Sequence, residues 1–115
     1  MKNLTIVLLT SALVIPLNVS ANKIKSEQCP VIYNAGLAIM EWRQNGVTIV
    51  EAMESLEDLN KGNNTSPEHM LIYKIFKSLI IDAYRLPTFT SEANKEKAIE
   101  DFANNVANSC YSAAK

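Results

Sequence analysis

Apolar residues return every three to four positions along most of this chain, and no stretch alternates with a period of two. That periodicity belongs to amphipathic helices rather than half-buried strands. Pro30 suits a first helical position, and the apolar-rich run from Val31 to Gln44 ends at Asn45-Gly46, where glycine relieves a left-handed C-cap. Gly36 weakens that helix by about 1 kcal/mol relative to alanine and offers a place where another helix can approach closely. Thr48-Ile49-Val50-Glu51 reads as a capping box, followed by a stripe of Ile49, Ala52, Met53, Leu56 and Leu59. Lys61 to Thr65 is a turn, and Ser66-Pro67-Glu68 restarts a helix with a cap, a proline and an early acid.

The third helix is the most apolar, with Met70, Leu71, Ile72, Ile75, Phe76, Leu79, Ile80, Ile81 and Ala83, and is expected at the centre of the fold. Pro87 disfavours the helical state at Leu86. Thr90 or Ser91 caps the last helix, where Ala98, Ile99, Phe102, Ala103, Val106 and Cys110 share one stripe. The expected architecture is an all-α, compact bundle of about four helices.

The N-terminus follows a different logic. Met1-Lys2-Asn3 carries one positive charge, Leu4 to Leu17 is an apolar run, and Asn18-Val19-Ser20-Ala21 offers a small-residue cleavage site. This is the pattern of a secretory signal peptide. A membrane anchor needs about 20 apolar residues, and this run is shorter and interrupted by Thr10-Ser11. Ser26-Glu27-Gln28 before Cys29 lacks the residues of a lipidation site. The expected division is a signal peptide at 1–21 and a helical domain at 22–115, periplasmic or secreted and not membrane-spanning once the leader is removed.

Export changes the meaning of the two cysteines. Cys29 and Cys110 lie near the two ends of the mature chain, and an oxidising compartment favours pairing them. A thioredoxin-like pair would need Cys-x-x-Cys spacing, so a structural disulfide bracing the bundle is expected. The remaining composition mostly excludes. The 115 residues hold 11 Lys plus Arg against 12 Asp plus Glu, one His and three Gly. No basic stripe serves nucleic acid, and no glycine-rich loop is available to cradle a phosphate.

Several groups of residues resemble a family of small secreted, uncharacterised proteins of proteobacteria and their tailed phages and prophages. They are Cys29 before a helix, Ala38-Ile39-Met40 leading to Arg43-Gln44-Asn45-Gly46-Val47, and Met53 on the second helix. Ile81-Asp82-Ala83-Tyr84-Arg85-Leu86-Pro87, Ala98-Ile99-Glu100-Asp101-Phe102 and Cys110 complete the set. The resemblance spans about four-fifths of the mature chain. It implies an exported location and a phage or prophage setting, and no catalytic activity. The segment from Gly62 to Ser66 and the helix from Pro67 are longer than the family pattern.

Candidate chemistry is sparse. His69 is the only imidazole and lacks partners for catalysis or a metal, so a surface position is expected. No serine comes with a base or oxyanion site. Glu51, Glu54, Glu57 and Asp58 lack the loop that wraps calcium and read as a solvated face opposite Lys74 and Lys77. No catalytic residue, metal or cofactor is therefore expected. Trp42 and Arg43 are residue types favoured at interface centres, as are Tyr84, Arg85 and Phe89 around Pro87. The competing reading has Trp42 covering the core and Arg43 paired with Asp82.

Together these features point to a non-enzymatic protein that binds another protein of the cell envelope, as an inhibitor, immunity factor or phage-derived modifier. A periplasmic holdase opened by acid is the alternative. A carboxylate-dependent hydrolase ranks last, because Glu100 and Asp101 are adjacent and point differently on a helix.

Overall fold

The computed structural model describes residues 24–62 and 66–114. The expected leader at 1–21 lies outside the described residues, as does the middle of the turn at 63–65. A short 3-10 turn over Ser26–Gln28 leads into four helices: α1 (Cys29–Gln44), α2 (Ile49–Asn60), α3 (Pro67–Ala83) and α4 (Glu92–Ala113). Among the described residues there is no strand, and the all-α bundle expected from periodicity is what forms.

The helices begin where the chain supplies acceptors for their unpaired N–H groups. Thr48 Oγ1 accepts from Glu51 N at 3.1 Å, and Glu51 Oε1 accepts from Thr48 N at 2.9 Å, so the capping box is complete. Ser66 Oγ accepts from His69 N at 3.1 Å. Ser91, rather than Thr90, caps α4 by accepting from Asn94 N at 3.1 Å. At the other end of α1, Gly46 takes φ +89°, a conformation that side chains with a Cβ rarely adopt.

In space the helices run in the order α4, α1, α3, α2. Helix α1 packs most extensively on α4 and next on α3, whereas α2 leans mainly on α3. The first and third helices thus both lie inside the row, and the first makes the more extensive contacts. Helix α3 is apolar around much of its circumference, yet its main neighbours are α1 and α2, and Met70 and Ile81 remain exposed. Apolarity sets how much of a helix benefits from cover; the number of neighbours depends on which helices can approach. Gly36 makes the difference for α1, because its missing side chain leaves room for the backbone of Ala103.

Cys29 and Cys110 form the expected disulfide, with Cα atoms 5.7 Å apart and both residues buried. Gly36 and Ala103 lie two helical turns further along α1 and back along α4, so the two contacts define one antiparallel seam. Ile32, Ile39 and Met40 from α1 join Phe102 and Val106 from α4 in the buried core. In the chain-entropy account, a bridge closing a loop of this length stabilises by about 4 kcal/mol. Ile24 is 1% exposed and belongs to the same core.

Helix α2 departs from its expected stripe. Ala52 and Leu56 are buried, but Ile49 and Leu59 are exposed, Leu59 by 70%. A helix at the edge of the row has one principal neighbour and buries a narrower band. Its acidic face is exposed as expected, but its partners are not the expected lysines. Glu57 accepts a hydrogen bond from the Tyr73 hydroxyl, and Asp58 pairs with Lys61 at 3.6 Å. Among the described residues Lys74 and Lys77 make no ion pair with this face. The bond from Glu57, then burial, then the nearby negative charge raise the Tyr73 pKa above its ordinary value. His69 is half-buried rather than fully on the surface. Its Nε2–H donates to Asn60 Oδ1 at 2.8 Å and ties the end of α2 to the start of α3.

Candidate functional site

The five residues singled out from the sequence fall around one corner of the molecule, where the end of α1 meets the segment joining α3 to α4. The corner is organised by Gln44, to which the sequence pattern alone gives no role. Gln44 is 4% exposed and the only buried polar side chain among the described residues. Its Nε2 donates to Pro87 O at 2.9 Å, and its Oε1 accepts from Phe89 N at 2.9 Å. One carboxamide therefore satisfies backbone groups on both sides of Thr88, in place of the secondary structure that this linker lacks. A signal was available: Gly36, Met40 and Gln44 share a buried stripe at a spacing of four, and a polar residue there needs a specific partner.

Arg43 reinforces the same clamp. Its Nε–H donates to Leu86 O at 3.0 Å, and its guanidinium carbon lies 5.2 Å from the centre of the Tyr84 ring. A guanidinium over an aromatic face is held by the ring quadrupole. The expected Arg43–Asp82 pair does not form; Asp82 pairs with Arg85, Oδ1 to Nη1 at 3.6 Å. The reason is local. Arg85 follows Asp82 by three positions at the helix end, while Arg43 is drawn to the carbonyl and ring of the linker.

Tyr84 completes the connection by donating from its hydroxyl to Val47 O at 2.7 Å, joining the end of α3 to the α1–α2 turn. Burial pushes its pKa up; the Arg43 cation works against that, and Glu51 adds to it. Trp42 is half-buried against the core, and its carbonyl accepts from Val47 N at 3.0 Å. The structure thus brings Arg43 and Tyr84 into contact and holds Phe89 through its backbone. Arg85, Leu86 and Phe89 are left facing outward.

Asp82 lies beneath this corner in an unfavourable setting. Its side chain is 12% exposed, and its Oδ2 is buried without a hydrogen-bond partner. It also sits in the last turn of α3, where the helix dipole disfavours an anion. Burial raises its pKa above the ordinary carboxylate value, with Arg85 opposing the shift.

Among the described residues no three His, Cys, Asp or Glu side chains are grouped to hold a metal ion. No described helix is long and apolar enough to cross a membrane. No protein-family model, curated protein or solved structure matches this chain.

Proposed function

We propose that this is an exported protein that works in the cell envelope by binding another protein through the corner carrying Trp42, Arg43, Tyr84, Arg85 and Phe89. The Gln44 clamp is the observation that carries this reading. A linker without regular structure would ordinarily lose conformational freedom on binding. Here two backbone groups of the linker are fixed in advance, and preorganisation of that kind lowers the cost of association. Leu86 and Phe89, 39% and 37% exposed, supply apolar contact beside two arginines. The leader-like N-terminus, the disulfide and the resemblance to secreted phage and proteobacterial proteins support an oxidising location outside the cytosol. An inhibitor, an immunity factor or a phage-derived modifier of the envelope all act by such binding.

The acid-opened holdase has less support. Its trigger is proton uptake that loosens the fold, whereas Asp82 is the described carboxylate whose pKa is displaced, and its protonation favours the folded state.

Photocrosslinking in living cells tests the proposal. A photoreactive residue replacing Arg85 or Phe89 is expected to give one discrete adduct with an envelope protein, and the same residue replacing Asn104 on the polar face of α4 none. Absence of an adduct at both corner positions overturns it.

A further inference from the structure

We propose that the corner recognises a carboxylate side chain of the partner polypeptide, flanked by an apolar residue, with Arg43 as the receiving group. This inference rests on the protein-binding reading above and specifies its chemistry. Arg43 spends only its Nε–H inside the fold, on Leu86 O. Among the described residues its terminal nitrogens make no hydrogen bond or ion pair. The carbonyl on one side and the Tyr84 ring on the other hold the guanidinium in place. What remains is a fixed fork of donors, the arrangement that matches a carboxylate in bidentate fashion. Because the side chain is already held, little rotamer entropy is left to lose when the fork is occupied.

The charge around the fork decides which anion fits. Arg43 and Arg85 are the cations of the corner. Asp82 is engaged with Arg85, and Glu51 acts on Tyr84 while closing the cap of α2. The local sum is near zero, which suits one negative charge beside apolar contacts from Leu86 and Phe89. An anionic bilayer attracts clusters of four or more cations, roughly 1 kcal/mol each, and a nucleic acid likewise needs several phosphate contacts. Neither is matched here.

The test uses the disulfide-bonded protein and three probes, followed by NMR. These are the peptide acetyl-Leu-Glu-Phe-amide, its glutamine counterpart acetyl-Leu-Gln-Phe-amide, and phosphatidylglycerol vesicles. The glutamate peptide is expected to shift the Arg43 Nε–H and Phe89 amide signals, and the glutamine peptide to leave them unmoved. Arg43→Lys keeps the charge and removes the fork, and should weaken the glutamate peptide by about tenfold. Equal responses to the two peptides, binding to vesicles without a response to either peptide, or an affinity unchanged in Arg43→Lys would each overturn the carboxylate assignment. The peptide comparison needs no variant and stands even if Arg43→Lys fails to fold. Crosslinks at positions 85 and 89 together with indifference to glutamate would leave the protein-binding reading intact and remove this one. Discrimination between the peptides with no envelope crosslink would keep the carboxylate chemistry of Arg43 and remove the envelope partner.

Discussion

Gly36 of α1 and Ala103 of α4 meet backbone to backbone. A Cβ placed on Gly36 would stand 3.2 Å from Ala103 Cα and 3.5 Å from its Cβ. Two effects therefore oppose each other in Gly36→Ala. Helix propensity favours alanine by about 1 kcal/mol, while crowding a packed interface costs about 1–3 kcal/mol. The obstacle is main chain on a helix tethered by a disulfide two turns away, so it yields little. Gly36→Ala is expected to destabilise modestly, and Gly36→Val by at least 2 kcal/mol on the same crowding scale, ~2–3 kcal/mol. Urea midpoints decide the matter; a stabilised Gly36→Ala would mean that α1 and α4 can separate freely.

Gln44 should behave as a structural residue despite its polarity. Gln44→Ala leaves Pro87 O and Phe89 N without their partner, a loss of about 2 kcal/mol. Hydrogen exchange at the Phe89 amide should accelerate well beyond that of Ala103 in the core. Gln44→Glu retains an acceptor for Phe89 N but has no donor for Pro87 O, and buries a charge, so it should not rescue.

The disulfide should be protected until the fold opens, since Cys29 is 0% and Cys110 2% exposed. Reductant followed by alkylation is expected to label neither cysteine in buffer and both in denaturant, as read by mass spectrometry. Replacing both with alanine should lower stability by about 4 kcal/mol in the chain-entropy account. The Cys110 end of α4 should then show the greatest increase in amide exchange.

Asp82 makes a prediction about pH whose sign opposes the usual acid denaturation. Its folded pKa lies above the ordinary 3.8, so the folded state holds the proton where the unfolded state has released it. Its contribution therefore favours folding increasingly as pH falls from neutral through the folded pKa, and levels off below about 3.8. Asp82→Asn keeps a polar atom at the Oδ2 position and removes only the partly buried charge, so it should stabilise modestly at pH 7, by at most about 1 kcal/mol. The advantage should shrink as pH falls and be smallest below about 3.8, where the carboxyl is protonated in the folded and unfolded states alike. Paired urea titrations across that range give the difference directly, with the other carboxylates cancelling. A gap that widens toward low pH would contradict the assignment.

Much of the corner is legible in the sequence. Trp42, Arg43, Tyr84, Arg85 and Phe89 stand out by residue type and by the proline among them, and they do converge. Their partners did not follow. Charge alone allows an Arg43–Asp82 pair, but the competition among Arg85, the Leu86 carbonyl and the Tyr84 ring depends on distances in space. Gln44 escaped notice because a polar side chain at the end of a helix ordinarily faces water. Its importance comes from a linker over 40 residues away, whose backbone bonds it satisfies.

The amino-acid order alone determined the helices and their limits, the disulfide and the absence of strands among the described residues. These follow from local periodicity, capping residues, turn glycines and the small number of cysteines. Which helix packs most extensively, how narrow the buried band of α2 is, and which side chains clamp the corner were decided only when the chain packed. Burial is a property of neighbours. An apolar residue such as Leu59 remains exposed when no helix covers it, and a glycine such as Gly36 matters because another backbone arrives there.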